Sequence, residues 1–299
     1  MGFVISTVNM KGGVGKTTLT VNLATCLAKN HGKRVLVIDL DAQISATLSL
    51  MSPHEFAKLR RKRHTLSYQI DKIVRPYIKR KFSVQDMIAT NVCEIPGMDL
   101  LPGDIELYDE YIISETLHKK AIKSEKTDFD DVWNGFEEIL IKSILEPVKQ
   151  KYDFILMDCA PGYNLLTRSG IVASDFYLLP ARPEPLSLVG IQLLERRIAK
   201  LKNTHDSDNV LNLKLLGIVF ILSGSNLLGR YYKQVMQRVA QDFSPDQVFE
   251  NRIPLDVNVA KAVDTFSPVV VANPNAPGAK SFAKLTEELL QKLENSSNN

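Results

Sequence analysis

The chain has 299 residues, 44% of them hydrophobic, and a formal net charge of +3. This length can bury the core of one large α/β domain, and the mild positive charge by itself identifies no partner. Three widely spaced cysteines exclude a disulfide framework, and no apolar run approaches the roughly 20 residues that span a bilayer. We therefore expect a cytosolic protein without a signal peptide before its first strand.

The chain opens with a phosphate-binding pattern. An apolar run over residues 3–8 predicts a buried strand, and a helical pattern begins at Lys16. The loop between them contains three glycines, which let backbone N–H groups point inward and form an anion cradle. We expect Lys16 to neutralise the β- and γ-phosphates and the Thr17 hydroxyl to bind Mg²⁺. The loop and the first helical turn comprise Lys11, Gly12, Gly13, Val14, Gly15, Lys16, Thr17 and Thr18. A simple glycine turn, the alternative, does not explain a Lys-Thr pair directly after the third glycine.

A second buried strand ends in two carboxylates. Residues 35–39 are continuously aliphatic up to Asp39, which is typical of a parallel strand covered on both faces. Asp39 and Asp41 follow at the carboxyl end, the edge of an open α/β sheet where ligands bind. The alternative is that one of the two caps the next helix.

Residues 53–82 form a strongly basic segment, in which ten Lys or Arg residues face only Glu55 and Asp71 as acids. Leu66, Ile70 and Ile78 give it partial helical spacing. This pattern predicts either a helical element that contacts DNA phosphates or an acidic partner, or a solvated helix face. The sequence does not decide between the two.

Residues 108–150 predict amphipathic helices with a polar interval at 123–131, and Ile122 and Ile139 are among the expected core positions. Residues 152–158 then predict a third strong strand, which ends in Asp158. An aspartate just after a buried apolar strand is costly unless a cation or hydrogen-bond donors satisfy it. Residues 161–164 follow as a loop.

The remaining chain predicts strands over residues 176–180 and 215–222, a helix over 188–201, a basic helix after residue 229 and a terminal amphipathic helix. Basic residues cluster on the first two of these helices. The basic residues of interest are Arg196, Arg197, Lys200, Arg230, Lys233 and Arg238.

The sequence KGGVGKTT resembles the deviant Walker A motif of the ParA/MinD family of P-loop ATPases. Met10 stands where the strict loop pattern has its first glycine, and Lys11 precedes the paired glycines. The resemblance implies a mostly parallel, twisted α/β sheet with helices on both faces. It covers residues 1–299 as a single domain, with insertions near 53–82 and 108–150.

The resemblance also implies roles at the nucleotide. Lys11 would reach across a dimer interface to the partner's phosphates, so that hydrolysis depends on dimerisation. Asp41 would orient the attacking water, and Asp39 would help to hold the metal and nucleotide shell. Asp158 resembles the Walker B aspartate that holds Mg²⁺, and residues 161–164 would form the loop near the γ-phosphate.

Two later segments are similar to family motifs as well. Glu184 matches a glutamate that lies at the dimer interface near the partner's nucleotide. Pro254 lies in a segment that packs against adenine, although Leu255 stands where the family often has an arginine.

The function implied is that of a ParA-like partition ATPase. Two Mg·ATP would be held in a homodimer that binds DNA without sequence preference through the basic helices named above. A ParB-like adaptor on the cargo would stimulate hydrolysis, and the protein would be cytoplasmic and nucleoid-associated. The alternative is a MinD-like positioning ATPase. Because the chain ends in Glu287, Glu288, Glu294 and a Ser/Asn tail rather than a basic amphipathic helix, we expect no membrane partner.

Overall fold

Six parallel strands form one sheet in the part of the chain that the structure describes. The structure is a computed structural model that describes residues 2–77, 81–123, 128–205, 211–221 and 229–297, without the side chains of 185–186, 229–233, 240, 263 and 297. The strand order is β3-β2-β4-β1-β5-β6. The strands are β1 Phe3–Thr7, β2 Val35–Leu40, β3 Met98–Leu101, β4 Phe154–Cys159, β5 Phe176–Ala181 and β6 Lys214–Phe220.

The central strands are buried along their whole length. Every residue of β2 and of β4 is buried, as the unbroken apolar runs predict for a parallel sheet covered on both faces. The helices that cover it are α1 Lys16–His31, α2 Ser45–Leu48, α3 Pro53–Arg61, α4 Leu66–Val74, α5 Glu110–Lys123, α6 Phe129–Leu145, α7 Leu165–Val172, α8 Pro185–His205, α9 Gly229–Asp242, α10 Val257–Asp264, α11 Val269–Ala272 and α12 Pro277–Ser297.

Two apolar cores lie on opposite faces of the sheet. One contains Leu19 of α1 and Leu285 of α12, and the other contains Leu140 of α6, Leu165 of α7 and Leu194 of α8. The predicted α/β architecture with helices on both faces is therefore confirmed, and the sheet is wholly parallel.

The basic segment folds as two short helices, α3 and α4. Helix α3 begins with a capping box, in which Ser52 and Glu55 exchange side-chain and backbone hydrogen bonds. The apolar side of α4 is buried through Leu66 and Ile70. Residue Ile78, which the spacing assigned to this element, lies outside the described residues.

Residues 108–150 contain α5 and α6, as predicted, but two expected core positions are wrong. Ile122 is 66% exposed and Ile139 is 51% exposed. The buried stripe of α6 runs through Phe136, Leu140 and Ile144 at four-residue spacing. Ile139 lies one residue before that stripe, and Ile122 lies in the last turn of α5.

We expect Phe282→Ala to lower the free energy of unfolding by about 3–5 kcal/mol, because it leaves a cavity in the core between α1 and α12. Phe282 is fully buried there. Denaturant unfolding measures the loss, and Tyr111→Ala is the control because Tyr111 is 76% exposed. A loss below about 1 kcal/mol, equal to that of a surface substitution, would contradict this packing.

Candidate functional site

Three neighbouring strands bring the predicted site residues to one edge of the sheet. Asp158 at the end of β4 lies opposite Thr7 of β1 on one side and Asp39 of β2 on the other. The glycine-rich loop follows β1 directly. Since the strands are parallel, the loop and both aspartates meet at the carboxyl edge, where ligands bind in such sheets.

The glycine-rich loop has the backbone of an anion cradle. Gly13 and Gly15 have φ angles of 69° and 89°, a left-handed conformation that glycine adopts without strain. Gly15 caps helix α1, whose first turn contains no acidic residue. The positive end of the helix dipole and its free N–H groups therefore face the loop, and the first turn of α1 itself contributes no counter-charge.

Asn9 anchors the start of this loop, although no sequence pattern singles it out. Its side-chain Oδ1 accepts a hydrogen bond of 2.9 Å from the Lys11 backbone N–H, and its Nδ2 donates one of 2.8 Å to the Pro180 carbonyl of β5. The loop is thereby fixed to a neighbouring strand as well as to β1.

Lys16 is buried at the base of the loop. Its Nζ donates a hydrogen bond of 3.1 Å to the carbonyl of Lys11, so the ammonium lies inside the curve of the loop. Burial lowers the pKa of Lys16, and the nearby Asp158 carboxylate opposes that shift. A phosphate in the cradle would supply the negative charge that this buried cation lacks.

Asp158 has one satisfied and one unsatisfied carboxylate oxygen. The Thr17 hydroxyl donates to Oδ2 at 2.6 Å, while Oδ1 is buried without a hydrogen-bond partner among the described residues. Burial, reinforced by the negative charge of Asp39, raises the pKa of Asp158 to about 8. Thr17 and the orphaned oxygen together fit a divalent cation, because hard cations prefer oxygen ligands.

Asp39 holds the loop that carries Asp41. Asp39 Oδ2 accepts hydrogen bonds from the backbone N–H and the hydroxyl of Thr47, at 2.8 and 2.7 Å, and Oδ1 accepts one from the Asp41 N–H at 3.1 Å. Burial raises the pKa of Asp39 to about 6. Asp39 thus accepts from the first turn of α2, although Ile44 and not Asp39 occupies the N-cap position. Asp41 is half-exposed beside the site, and among the described residues it accepts a hydrogen bond from the Gln43 N–H.

Lys11 forms an ion pair within its own chain. Its Nζ lies 2.8 Å from Oε2 of Glu184, which precedes helix α8, and the two side chains are 49% and 32% exposed. The two residues predicted to act across a dimer interface are therefore neighbours at the surface of one subunit.

The predicted base-contact segment lies beside the end of β6. A parallel bridge joins Ile221 to Ile253, which places half-buried Pro254 near the same sheet edge. Leu255, at the position where the resemblance expects an arginine, is 64% exposed.

Four basic side chains of α8 and α9 are exposed on adjacent helices. Gln192 of α8 donates a hydrogen bond of 2.9 Å to Asp242 of α9. Arg196 and Arg238 each lie one helical turn from that contact, on the same side of their helices as the contacting residues. The exposed cations are Arg196, Arg197, Lys200 and Arg238. Arg230 and Lys233 also belong to α9, but their side chains lie outside the described part of the structure.

A glycine-rich loop between a strand and a helix, facing a strand-end aspartate bonded to the loop threonine, defines a P-loop nucleotide-binding protein. An AAA domain family model, AAA_31, matches residues 2–212. The chain is 30% identical to the sporulation initiation inhibitor protein Soj of Bacillus subtilis over 290 residues, 97% of this chain and 98% of Soj. It is 28% identical to the chromosome partitioning protein ParA of Caulobacter vibrioides over 292 residues, 97% of this chain and 94% of ParA. The chain therefore belongs to the ParA/MinD family of P-loop ATPases.

The fold comparison agrees with this family. The crystal structure of the cell division ATPase MinD from Pyrococcus furiosus aligns with a TM-score of 0.65 at 26% identity and covers 97% of this chain and 99% of MinD. Among the described helices, none combines the length and the apolar content that crossing a bilayer requires.

We expect Asp158→Asn to stabilise the protein much more at pH 8 than at pH 5, both measured without nucleotide or Mg²⁺. Because the folded state raises the pKa of this carboxyl to about 8, it binds the proton more tightly than the unfolded chain. Ionisation therefore opposes folding as the pH rises from about 4 to 8, at about 1.4 kcal/mol per unit of pKa difference. Thermal unfolding at both pH values measures the effect.

The control is Asp264→Asn, which changes an exposed carboxylate and should shift neither melting temperature. A parent that is more stable than Asp158→Asn at pH 8 would show that Asp158 is already compensated in the free protein.

Proposed function

We propose that this protein is a partition or positioning ATPase of the ParA type, in which two subunits close over two Mg·ATP. The observation that carries the proposal is the second lysine of the loop. Lys11 is half-exposed at the mouth of the cradle, where Glu184 is its ion-pair partner among the described residues, whereas Lys16 occupies the base. One lysine suffices to bind phosphate within a subunit, and an exposed second one is placed to act on phosphates that face it from outside.

The residues present fit Mg·ATP. The loop N–H groups and Lys16 would hold the β- and γ-phosphates. Thr17 and Asp158 Oδ1, which has no hydrogen-bond partner among the described residues, would hold Mg²⁺ directly or through water. Bound Mg²⁺ supplies charge neutralisation on the phosphate oxygens. The base would lie against Pro254.

Hydrolysis needs a positioned water and extra positive charge at the γ-phosphate. Asp41 is the carboxylate free to orient that water, because Asp39 is occupied by Thr47 and by the Asp41 backbone. Lys11 and Glu184 would leave each other when two subunits meet, Lys11 reaching the partner's phosphates. A single subunit would then hydrolyse ATP slowly, and dimerisation would activate hydrolysis.

The exposed cations of α8 and α9 are the proposed surface for nonspecific DNA. They lie on two helices joined by Gln192 and Asp242, and phosphate contacts of this kind need charge rather than base recognition. A cargo-bound adaptor of the ParB kind would stimulate hydrolysis and release the dimer, which would place the protein on the nucleoid. A MinD-like positioning role would require the protein to bind a membrane rather than DNA.

We expect Lys16→Ala to abolish ATP binding and Lys11→Ala to retain it. Lys11→Ala should instead lose the ATP-dependent dimer and about 10²–10³-fold in kcat, the usual cost of removing one charge that stabilises a transition state. Calorimetry, light scattering and phosphate release measure the three quantities. The control Lys284→Ala removes an exposed lysine of α12. A Lys11→Ala protein that still dimerises and hydrolyses like the parent would leave only a generic nucleotide binder.

We expect DNA retention with ATP but not with ADP, and a steep fall of affinity with salt, because bound cations release counterions from DNA. Replacing Arg196 and Lys200 by Ala should reduce the salt slope by about two, one unit for each lost phosphate contact.

The matched control replaces Lys58 of α3 and Lys62, the residue that follows this helix, by Ala; both are exposed lysines of the basic segment. If this pair, rather than the α8 pair, lowers the salt slope, the DNA surface lies at the end of α3. Binding to anionic vesicles in place of DNA would favour the MinD-like role.

A further inference from the structure

Tyr163 lies between two arginines in the loop that follows Asp158. The guanidinium of Arg168, on α7, lies 5.8 Å from the centre of the Tyr163 ring, and that of Arg197, on α8, lies 5.3 Å from it. The tyrosine hydroxyl also donates a hydrogen bond of 3.0 Å to the backbone carbonyl of Arg197. Burial raises the pKa of Tyr163 to about 12, so the hydroxyl stays a donor at neutral pH. We call this arrangement of Tyr163, Arg168 and Arg197 the tyrosine clamp.

A buried carboxylate, that of Glu137, holds Arg168 of the clamp in place. Oε2 of Glu137, on α6, lies 2.6 Å from Nε of Arg168, as a close ion pair outside the geometry of a directed hydrogen bond. The other oxygen of Glu137 lies 3.1 Å from Nε2 of His205, the last residue of α8. Glu137 is only 2% exposed. Buried charges of this kind hold their partners firmly, because separating them leaves an uncompensated charge in the interior.

The loop that carries Tyr163 also lies beside the phosphate-binding loop. Pro161, two residues before Tyr163, lies beside Gly12, since a Cβ placed on that glycine would meet the proline ring at 4.0 Å, an ordinary van der Waals distance. Residues 160–163 therefore connect the phosphate cradle at one end to the middle of α8 at the other. A shift of this loop moves the Tyr163 ring, and the ring is held by α8.

We propose that Tyr163 is a positioning residue that couples the nucleotide state to helix α8. The clamp holds residues 160–163 against the cradle in the geometry that hydrolysis needs. It also transmits a displacement of that loop to α8, whose exposed side carries Arg196 and Lys200. The inference rests on the proposed function for the identity of the nucleotide and of the DNA surface, but the clamp itself can be measured without DNA.

The test compares Tyr163→Leu with Tyr163→Phe, which keeps the ring, and with Arg197→Met, which removes one guanidinium. A ring–guanidinium contact contributes on the scale of a three- to tenfold change in rate. We expect Tyr163→Leu and Arg197→Met to lower kcat by about that factor with the KM for ATP within about twofold of the parent. Tyr163→Phe should restore most of the rate. Because the two residues act through one contact, the double variant should lose no more than the worse single variant.

The second readout is hydrogen exchange of the α8 amides with ATP and with ADP. In the parent we expect exchange near Arg197 to differ between the two nucleotides, and in Tyr163→Leu we expect that difference to fall below half. The control Tyr111→Leu changes an exposed tyrosine of α5 and should alter neither kcat nor the exchange difference. If Tyr163→Leu does not fold, Tyr163→Phe and Arg197→Met still decide the question.

Additive losses in the double variant, or an α8 that exchanges equally with ATP and ADP in an active parent, would overturn the clamp and leave the proposed ATPase intact. A parent that neither binds nor hydrolyses ATP would overturn the proposed function. A parent that hydrolyses ATP without binding DNA would remove only the DNA surface.

Discussion

The arrangement of charge at the carboxyl edge of the sheet is the constraint on which the site depends. Within the described part of the chain, a buried carboxylate with one unpartnered oxygen lies beside a buried lysine whose ammonium donates to a loop carbonyl. Neither group is fully compensated by the protein, and low local dielectric makes such a deficit expensive. The strand order β2-β4-β1 forces the two together, since it places Asp158 between the second strand's aspartate and the glycine loop. A bound phosphate would compensate the charge of Lys16, and a bound divalent cation would compensate the charge of Asp158.

Lys11 differs from the buried Lys16, because Lys11 is paired only weakly with Glu184 of its own chain. The Lys11–Glu184 pair is half-exposed, and exposed ion pairs contribute only about 0–1 kcal/mol. In the proposed mechanism, such a weak pair would break when a stronger counter-charge approaches Lys11. The Lys11–Glu184 pair differs in this respect from the Glu137–Arg168 pair, where the carboxylate is buried and the contact is part of the framework.

Much of the fold and of the site could be predicted from the sequence. The features that could not be predicted have identifiable physical causes. The buried strands β2 and β4 are unbroken apolar runs, and the loop motif is local, so both are evident within a few residues of sequence. Asn9 and Thr47 were missed because their hydrogen bonds join segments that only the sheet brings together. Glu137 resembles any helix glutamate until Arg168 and His205, far along the chain, are placed against it. Ile139 was misassigned because one residue is about 100° around a helix.

Helix α8 is 21 residues long, about 30 Å from end to end, and it behaves as a stiff rod. It is held at its midpoint by the Tyr163 ring and at its far end by Glu137, while its near end follows the glutamate that pairs with Lys11. A rod held at two points can neither slide along its axis nor pivot freely, so a displacement of either attachment must move the whole helix. In the dimer proposed above, a shift of the loop that carries Tyr163 would therefore displace the exposed surface of α8 as one unit.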